Sequence, residues 1–155
     1  MKLNTHLQAG EGRQDLLITR EFDLPVALLF KAHSDPELFG QWMGTKVLKH
    51  EMRPHGSYRF ETCDPKGQVL FCANGTIHEF VPGQKITRTF EMENSPFPVQ
   101  LEFLEFESLT ENRSKLSMHI VYRSAEYRDQ HLQMPFAQGL NMAHNRLQDL
   151  IRSLN

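Results

Sequence analysis

The stretch from Met134 to Leu154 constrains this chain more than any other. Its apolar residues are Phe136, Leu140, Ala143, Leu147, Leu150, Ile151 and Leu154. Steps of four, three, four, three, one and three keep them on one stripe of a 3.6-residue helix. The opposite face carries Gln138, Asn141, Asn145, Gln148, Asp149 and Arg152. Pro135 suits the first turn, where its missing N–H breaks no intrahelical bond. Such a stripe must be buried against something, and the sequence before it reads mostly as antiparallel strands. A long helix laid across a curved sheet follows, with the space between them as the place to look for function.

A chain of 155 residues suits one domain with a single sizeable core. The expected division is a flexible tail over 1–14 and one domain over 15–155. A formal charge of −2 gives no basic face for nucleic acid. The longest apolar run, Leu24 to Phe30, is far short of the roughly 20 residues of a membrane span. The first residues lack the apolar core of a signal peptide, so a cytoplasmic location is expected. Cys63 and Cys72 flank Asp64-Pro65-Lys66-Gly67, a type I turn signal. In a hairpin Cys63 would oppose Gln68 or Val69, and Cys72 would oppose Arg59 or Phe60. The sulfurs are then roughly 10–13 Å apart along the strands. A disulfide needs Cα atoms within about 7 Å, so two free thiols are expected.

Leu16 to Phe22 alternates as a first strand. Pro25 suits a helix start, and Asp35-Pro36-Glu37 supplies a cap, a proline at the first helical position and an acidic first turn. Two short helices are expected at about 25–33 and 36–42, closed by Trp42, which reads as a packing anchor. Strands follow at Lys46–Glu51, Ser57–Cys63, Val69–Val81, Lys85–Met92, Val99–Leu109 and Lys115–Tyr122, about seven in all. Asn74-Gly75 marks a bend or bulge. Residues 125–132 read as a short helical lead-in.

This order is similar to the helix-grip fold of the START-like and birch-pollen-allergen-like (SRPBCC) superfamily, an α+β class. The local sequence resembles one branch, domains related to the activator of the ninety-kilodalton heat-shock chaperone's ATPase. Matching stretches are Ile18 to Phe22, Leu29 to Leu38 with Gln41-Trp42 behind, and Arg53 to Phe60. Gly75 to Glu79, Lys85 to Phe90, Gly139-Leu140 and Leu147 to Leu150 also match, covering about 15–154. The family commonly has a second glycine where His55 stands. It often has Trp where Leu140 stands, and the smaller side chain would leave room beneath the helix. Gly139 would let the helix backbone approach a neighbour. The resemblance implies a cavity without naming a ligand, and it also implies a chaperone as a partner.

Eight histidines invite a metal site, yet none forms HxH, HxxxH or HExxH, and no Cys-x-x-Cys accompanies them. They read as surface or edge imidazoles, with His50 and His55 able to meet across one turn. No metal or cofactor is expected. Glu102, Glu105 and Glu107 crowd one strand, and a solvated outer face beside Arg113 and Lys115 is their expected setting. No catalytic residue is assigned, since no nucleophile elbow or phosphate loop occurs.

The expected cavity lining is Tyr58, Phe60, Phe71, Ile77, Met118, Ile120 and Tyr122 on the sheet, with Phe136, Leu140 and Leu147 above. Tyr58 and Tyr122 would supply its polar points. Arg59, His78 and Glu79 would do so if the strand faces ran the other way. Apolar walls with few polar points form a small-ligand site. The leading expectation is therefore binding of a hydrophobic or amphipathic small molecule, lipid-like or polycyclic. A protein-interaction module using Phe39, Met43 and the Ser95–Pro98 loop is one alternative. A cyclase- or hydrolase-type enzyme using the same cavity is another. An open sheet edge could pair two chains as a homodimer.

Overall fold

A computed structural model describes residues 3–154. Eight strands form one antiparallel sheet: β1 (His6–Gln8), β2 (Asp15–Phe22), β3 (Lys46–His50), β4 (Ser57–Cys63), β5 (Val69–Val81), β6 (Lys85–Met92), β7 (Gln100–Thr110) and β8 (Arg113–Val121). Their spatial order is β1-β2-β8-β7-β6-β5-β4-β3. Ile18, Met118, Leu104 and Ile86 stand in one cross-strand row on the inner face. The adjoining strands β2, β8 and β7 bury every second residue, as in β8, where Ser114, Leu116, Met118 and Ile120 point inward. The eighth strand lies where a loose tail was expected. β1 pairs Leu7 with Ile18, and three residues are too few for alternation to reveal it.

Four helices cover the inner face: α1 (Val26–Ser34), α2 (Pro36–Met43), α3 (Ala125–Gln133) and α4 (Phe136–Ser153). The α2 start forms as its sequence dictates. Asp35 Oδ1 accepts from the backbone N–H of Glu37 at 2.9 Å and Leu38 at 3.1 Å. Gly44 ends the helix at φ 67°, a left-handed cap that favours glycine. Ser124 caps α3 by accepting from the Tyr127 N–H.

The α4 stripe is buried at Ala143, His144, Leu147 and Ile151, whereas Leu154 is exposed. His144 belongs to the stripe, one turn after Leu140, and meets Phe22 edge-on at 5.4 Å. The polar face is not simply solvated. Arg20 is buried, and its Nη1 donates to Asn141 Oδ1 at 3.2 Å and Asn145 Oδ1 at 2.9 Å. Gln148 Oε1 accepts from the Asp23 N–H. These bonds tie the helix to β2.

Both thiols are free. Cys63 faces Val69, but Cys72 faces Glu61 rather than Arg59 or Phe60, because a bulge at Leu70 shifts the register by one. The bulge precedes Phe71, so that side chain stays on the inner face with Ala73 and Ile77. The β5–β6 pairing skips Gly75 and Thr76, where the Thr76 N–H donates to the Thr89 hydroxyl instead. Tyr58 crosses over Gly75 to donate from Oη to the Thr89 carbonyl at 2.6 Å, and a Cβ on Gly75 would collide with the Tyr58 ring. His55 adopts φ 66°, the left-handed conformation that explains why a glycine suits this turn.

Candidate functional site

A cavity of about 390 Å³ lies beneath the first half of α4. Phe136, Gly139, Leu140, Ala143 and His144 form its roof. Trp42, Phe39, Met43 and His33 form one wall, with Phe60, Thr62 and Phe71 nearby. The floor combines Ile18, Met118, Ile120 and Leu104 with Arg88, Phe90, Gln100 and Glu102. Six of the ten residues expected to line it do so: Phe60, Phe71, Met118, Ile120, Phe136 and Leu140. Tyr58, Ile77, Tyr122 and Leu147 are buried but not part of the lining.

The two tyrosines do not supply the polar points. Tyr58 spends its hydroxyl on Thr89, and Tyr122 Oη shares a 2.6 Å hydrogen bond with His131 Nδ1. Burial pushes both phenols well above their usual pKa, so both stay protonated. The polar points come from three adjacent side chains instead. Arg88 Nε donates to Glu102 Oε1 at 2.9 Å, and Gln100 Nε2 donates to Glu102 Oε2 at 2.7 Å. The Arg88 guanidinium lies 5.6 Å from the centre of the Tyr58 ring. Burial acts to lower the Arg88 pKa, but the adjoining Glu102 carboxylate outweighs it and keeps the guanidinium charged.

Glu102 therefore departs from the solvated setting expected for it, while Glu105 and Glu107 are exposed. The signal was present in the alternation. Gln100 and Glu102 share parity with Leu104 and Phe106, and Arg88 shares it with Ile86 and Phe90. Arg88 and Glu102 are direct cross-strand partners. Arg59 pairs with Glu93, and Glu79 pairs with Lys85. Neither these residues nor His78 line the cavity.

Three histidines also depart from the surface reading. His33 is buried between Trp42 and Phe106, and burial pulls its pKa down to about 4. His144 is likewise pulled down to about 3 by burial. His131 is lowered by burial and packs 4.2 Å from the Phe136 ring. His50 bonds to the Ser34 carbonyl through Nε2. Among the described residues, no three His, Cys, Asp or Glu side chains gather closely enough for a metal ion.

Trp42 is both anchor and wall: its Nε1 donates to the Ala32 carbonyl at 2.8 Å. Gly139 serves no close approach, because a Cβ there would meet nothing within 4 Å. It leaves space over the cavity. The apolar residues named above for a docking patch are turned inward, although others such as Leu70 and Met142 are exposed. Phe39 is buried, Met43 lines the cavity and Phe97 packs toward His131. A larger concavity of about 740 Å³ lies on the outer sheet face around Leu17, Phe103 and His119. It opens to solvent and lacks the aromatic enclosure of the inner one.

No helix among the described residues is long and apolar enough to cross a membrane. Solved structures share the fold. Protein Ms6760 from Mycobacterium smegmatis is 21% identical with a TM-score of 0.84, covering 96% of each chain. A protein from Rhodobacter sphaeroides is 18% identical with a TM-score of 0.85, covering 96% of this chain and 99% of that one. CalU16 from Micromonospora echinospora is 15% identical with a TM-score of 0.63, over 97% and 88%. Among curated proteins none matches the sequence. The family model described as Activator of Hsp90 ATPase homolog 1-like protein matches residues 23–152. The chain therefore belongs to that family, within the START-like superfamily and its helix-grip fold.

Proposed function

We propose that the protein binds a hydrophobic or amphipathic small molecule, lipid-like or polycyclic, between the sheet and α4. The supporting observation is the cavity of about 390 Å³, walled by aromatic side chains around one buried Arg–Glu–Gln cluster. Its size falls within the usual range of ligand pockets. Leaving such a volume dry would cost on the order of several kcal/mol, a cost that an occupant offsets. The polar cluster would orient that occupant, since a buried ion pair is weak evidence for stability alone.

Native mass spectrometry of gently purified protein tests this, together with displacement of Nile red by a panel of fatty acids, sterols and polycyclic aromatics. A bound species or dose-dependent displacement is expected. Absence of both across the panel would reject the reading.

A further inference from the structure

The cavity wall carries an unbalanced charge. Two guanidiniums, Arg88 and Arg146, face it with one carboxylate, Glu102. Arg88 and Glu102 neutralise each other at 2.9 Å. The imidazoles of His33 and His144 are held neutral by burial, and burial also lowers the pKa of His131. Arg146 is therefore left over. It projects from α4, and among the described residues no carboxylate lies within 4.0 Å of it. Its Nε donates to the Trp42 carbonyl at 3.0 Å, in the last turn of α2. That contact suits the negative end of a helix, but it uses only one of five N–H donors. Arg146 is an exposed residue, so it lines the cavity where solvent reaches it, and the donors on Nη1 and Nη2 have no protein acceptor among the described residues.

We infer that the ligand is an amphipathic monocarboxylate, its carboxylate gripped by Arg146 at the α2–α4 wall and its apolar body enclosed by the aromatic lining. This rests on the cavity-binding reading above. A single negative charge cancels the single uncompensated cation. A dianionic phosphate monoester would bring a second charge toward a wall that already holds Glu102. The planar fork of a guanidinium matches a carboxylate with two parallel bonds. The Arg88–Glu102 pair, already neutral, can meet a hydroxyl or carbonyl further along the ligand but has no charge to spare. The competing role for Arg146 is a clamp between helices that turns its remaining donors to water.

The test uses 1-pyrenebutyric acid and its methyl ester, which differ only in the charged end, followed by pyrene fluorescence at pH 7.5 and low salt. Wild-type protein should bind the acid at least about tenfold more tightly than the ester, the scale of one charge-assisted hydrogen-bonded contact. Arg146→Gln should remove that preference while leaving ester affinity within about twofold, and Arg146→Lys should restore part of it. Equal binding of acid and ester by the wild type overturns the inference, and needs no variant to fold. So does an equal loss for both probes in Arg146→Gln, the signature of a clamp. If wild-type protein binds neither probe nor any of the Nile red panel, the cavity-binding reading fails with it. If the ester alone binds, only the carboxylate assignment fails.

Discussion

The inner face of the sheet has two ends that differ in what covers them. Under α1 the face is closed. Phe30 meets Phe106 at 4.9 Å and Phe80 at 5.4 Å, and Phe22, Leu29 and Leu116 are fully buried. The same strands then run on beneath the first half of α4, and there the face is open. β7 passes from Phe106 to Glu102 and Gln100, β8 from Leu116 to Met118 and Ile120, and β6 from Ile86 to Arg88 and Phe90. The roof changes with the floor. Leu147 and Ile151 of α4 are buried, whereas Phe136 and Leu140 are only half-buried, with Gly139 between them. Alternation decides which side chains point inward; whether they meet a partner depends on the helix above.

The largest expected difference is between truncating an aromatic at each end. Phe30→Ala removes a ring with close partners on two strands and should cost about 3–5 kcal/mol. Phe71→Ala trims the wall of an existing space and should cost about 1–2 kcal/mol, since little new void is created. Urea denaturation of both variants measures this. Equal losses would mean that the two ends are packed alike.

The buried ion pair gives the next largest effect. Glu102→Leu leaves Arg88 without its counter-charge and should cost about 3 kcal/mol or more. Adding Arg88→Met should recover most of that loss, because the double variant no longer buries an unpaired charge. A double variant as unstable as Glu102→Leu would show that the pair holds the sheet together. Recovery would instead leave ligand orientation as the reason to keep a charged pair here.

Much of this contrast was legible in the sequence. The α4 stripe, the Asp35 cap and the alternation of β8 each follow from spacing and side-chain chemistry. The polar floor was harder to read, although Glu102 and Arg88 share parity with buried neighbours. Charged residues on strands ordinarily face water, and only the pairing of β6 with β7 places these two side by side. His144 was hidden by the same habit of reading a polar residue as a break in an apolar stripe. A glycine in a helix suggests close contact, and only the structure shows empty space beside Gly139. Tyr58 and Tyr122 do face inward, but their hydroxyls are committed to Thr89 and His131, and no strand pattern reveals hydrogen-bond partners.

Two histidines at the boundary between the ends make the contrast sensitive to pH. His33 touches Trp42 on the open side and Phe106 on the closed side, and His144 packs against Phe22. Unfolded histidine titrates near pH 6.5, while folded His33 and His144 stay neutral down to about 4 and about 3. Between those limits the unfolded chain binds more protons, so stability falls with falling pH. The expectation is little histidine-dependent change above pH 7 and a loss of about 2–3 kcal/mol from each histidine by pH 4.5. Urea midpoints across that range measure it, with His33→Gln flattening the slope. An unchanged slope in that variant would remove His33 as a source.

The smallest expected change in stability comes from Leu140→Trp. Leu140 sits over the cavity two turns before Leu147, which is fully buried. A Trp at 140 has space to enter, and filling part of it should leave stability within about 1 kcal/mol or raise it slightly. The same change at Leu147 should overpack the closed part of the roof and cost about 1–3 kcal/mol or more. The two variants differ in binding as well. Leu140→Trp should weaken Nile red binding by occupying the dye's volume, whereas folded Leu147→Trp should retain most of its affinity. Thermal melts of ligand-free protein and dye titrations read both effects. A clear loss of stability in Leu140→Trp, with binding by its folded fraction unchanged, would mean that the first half of α4 covers ordinary core.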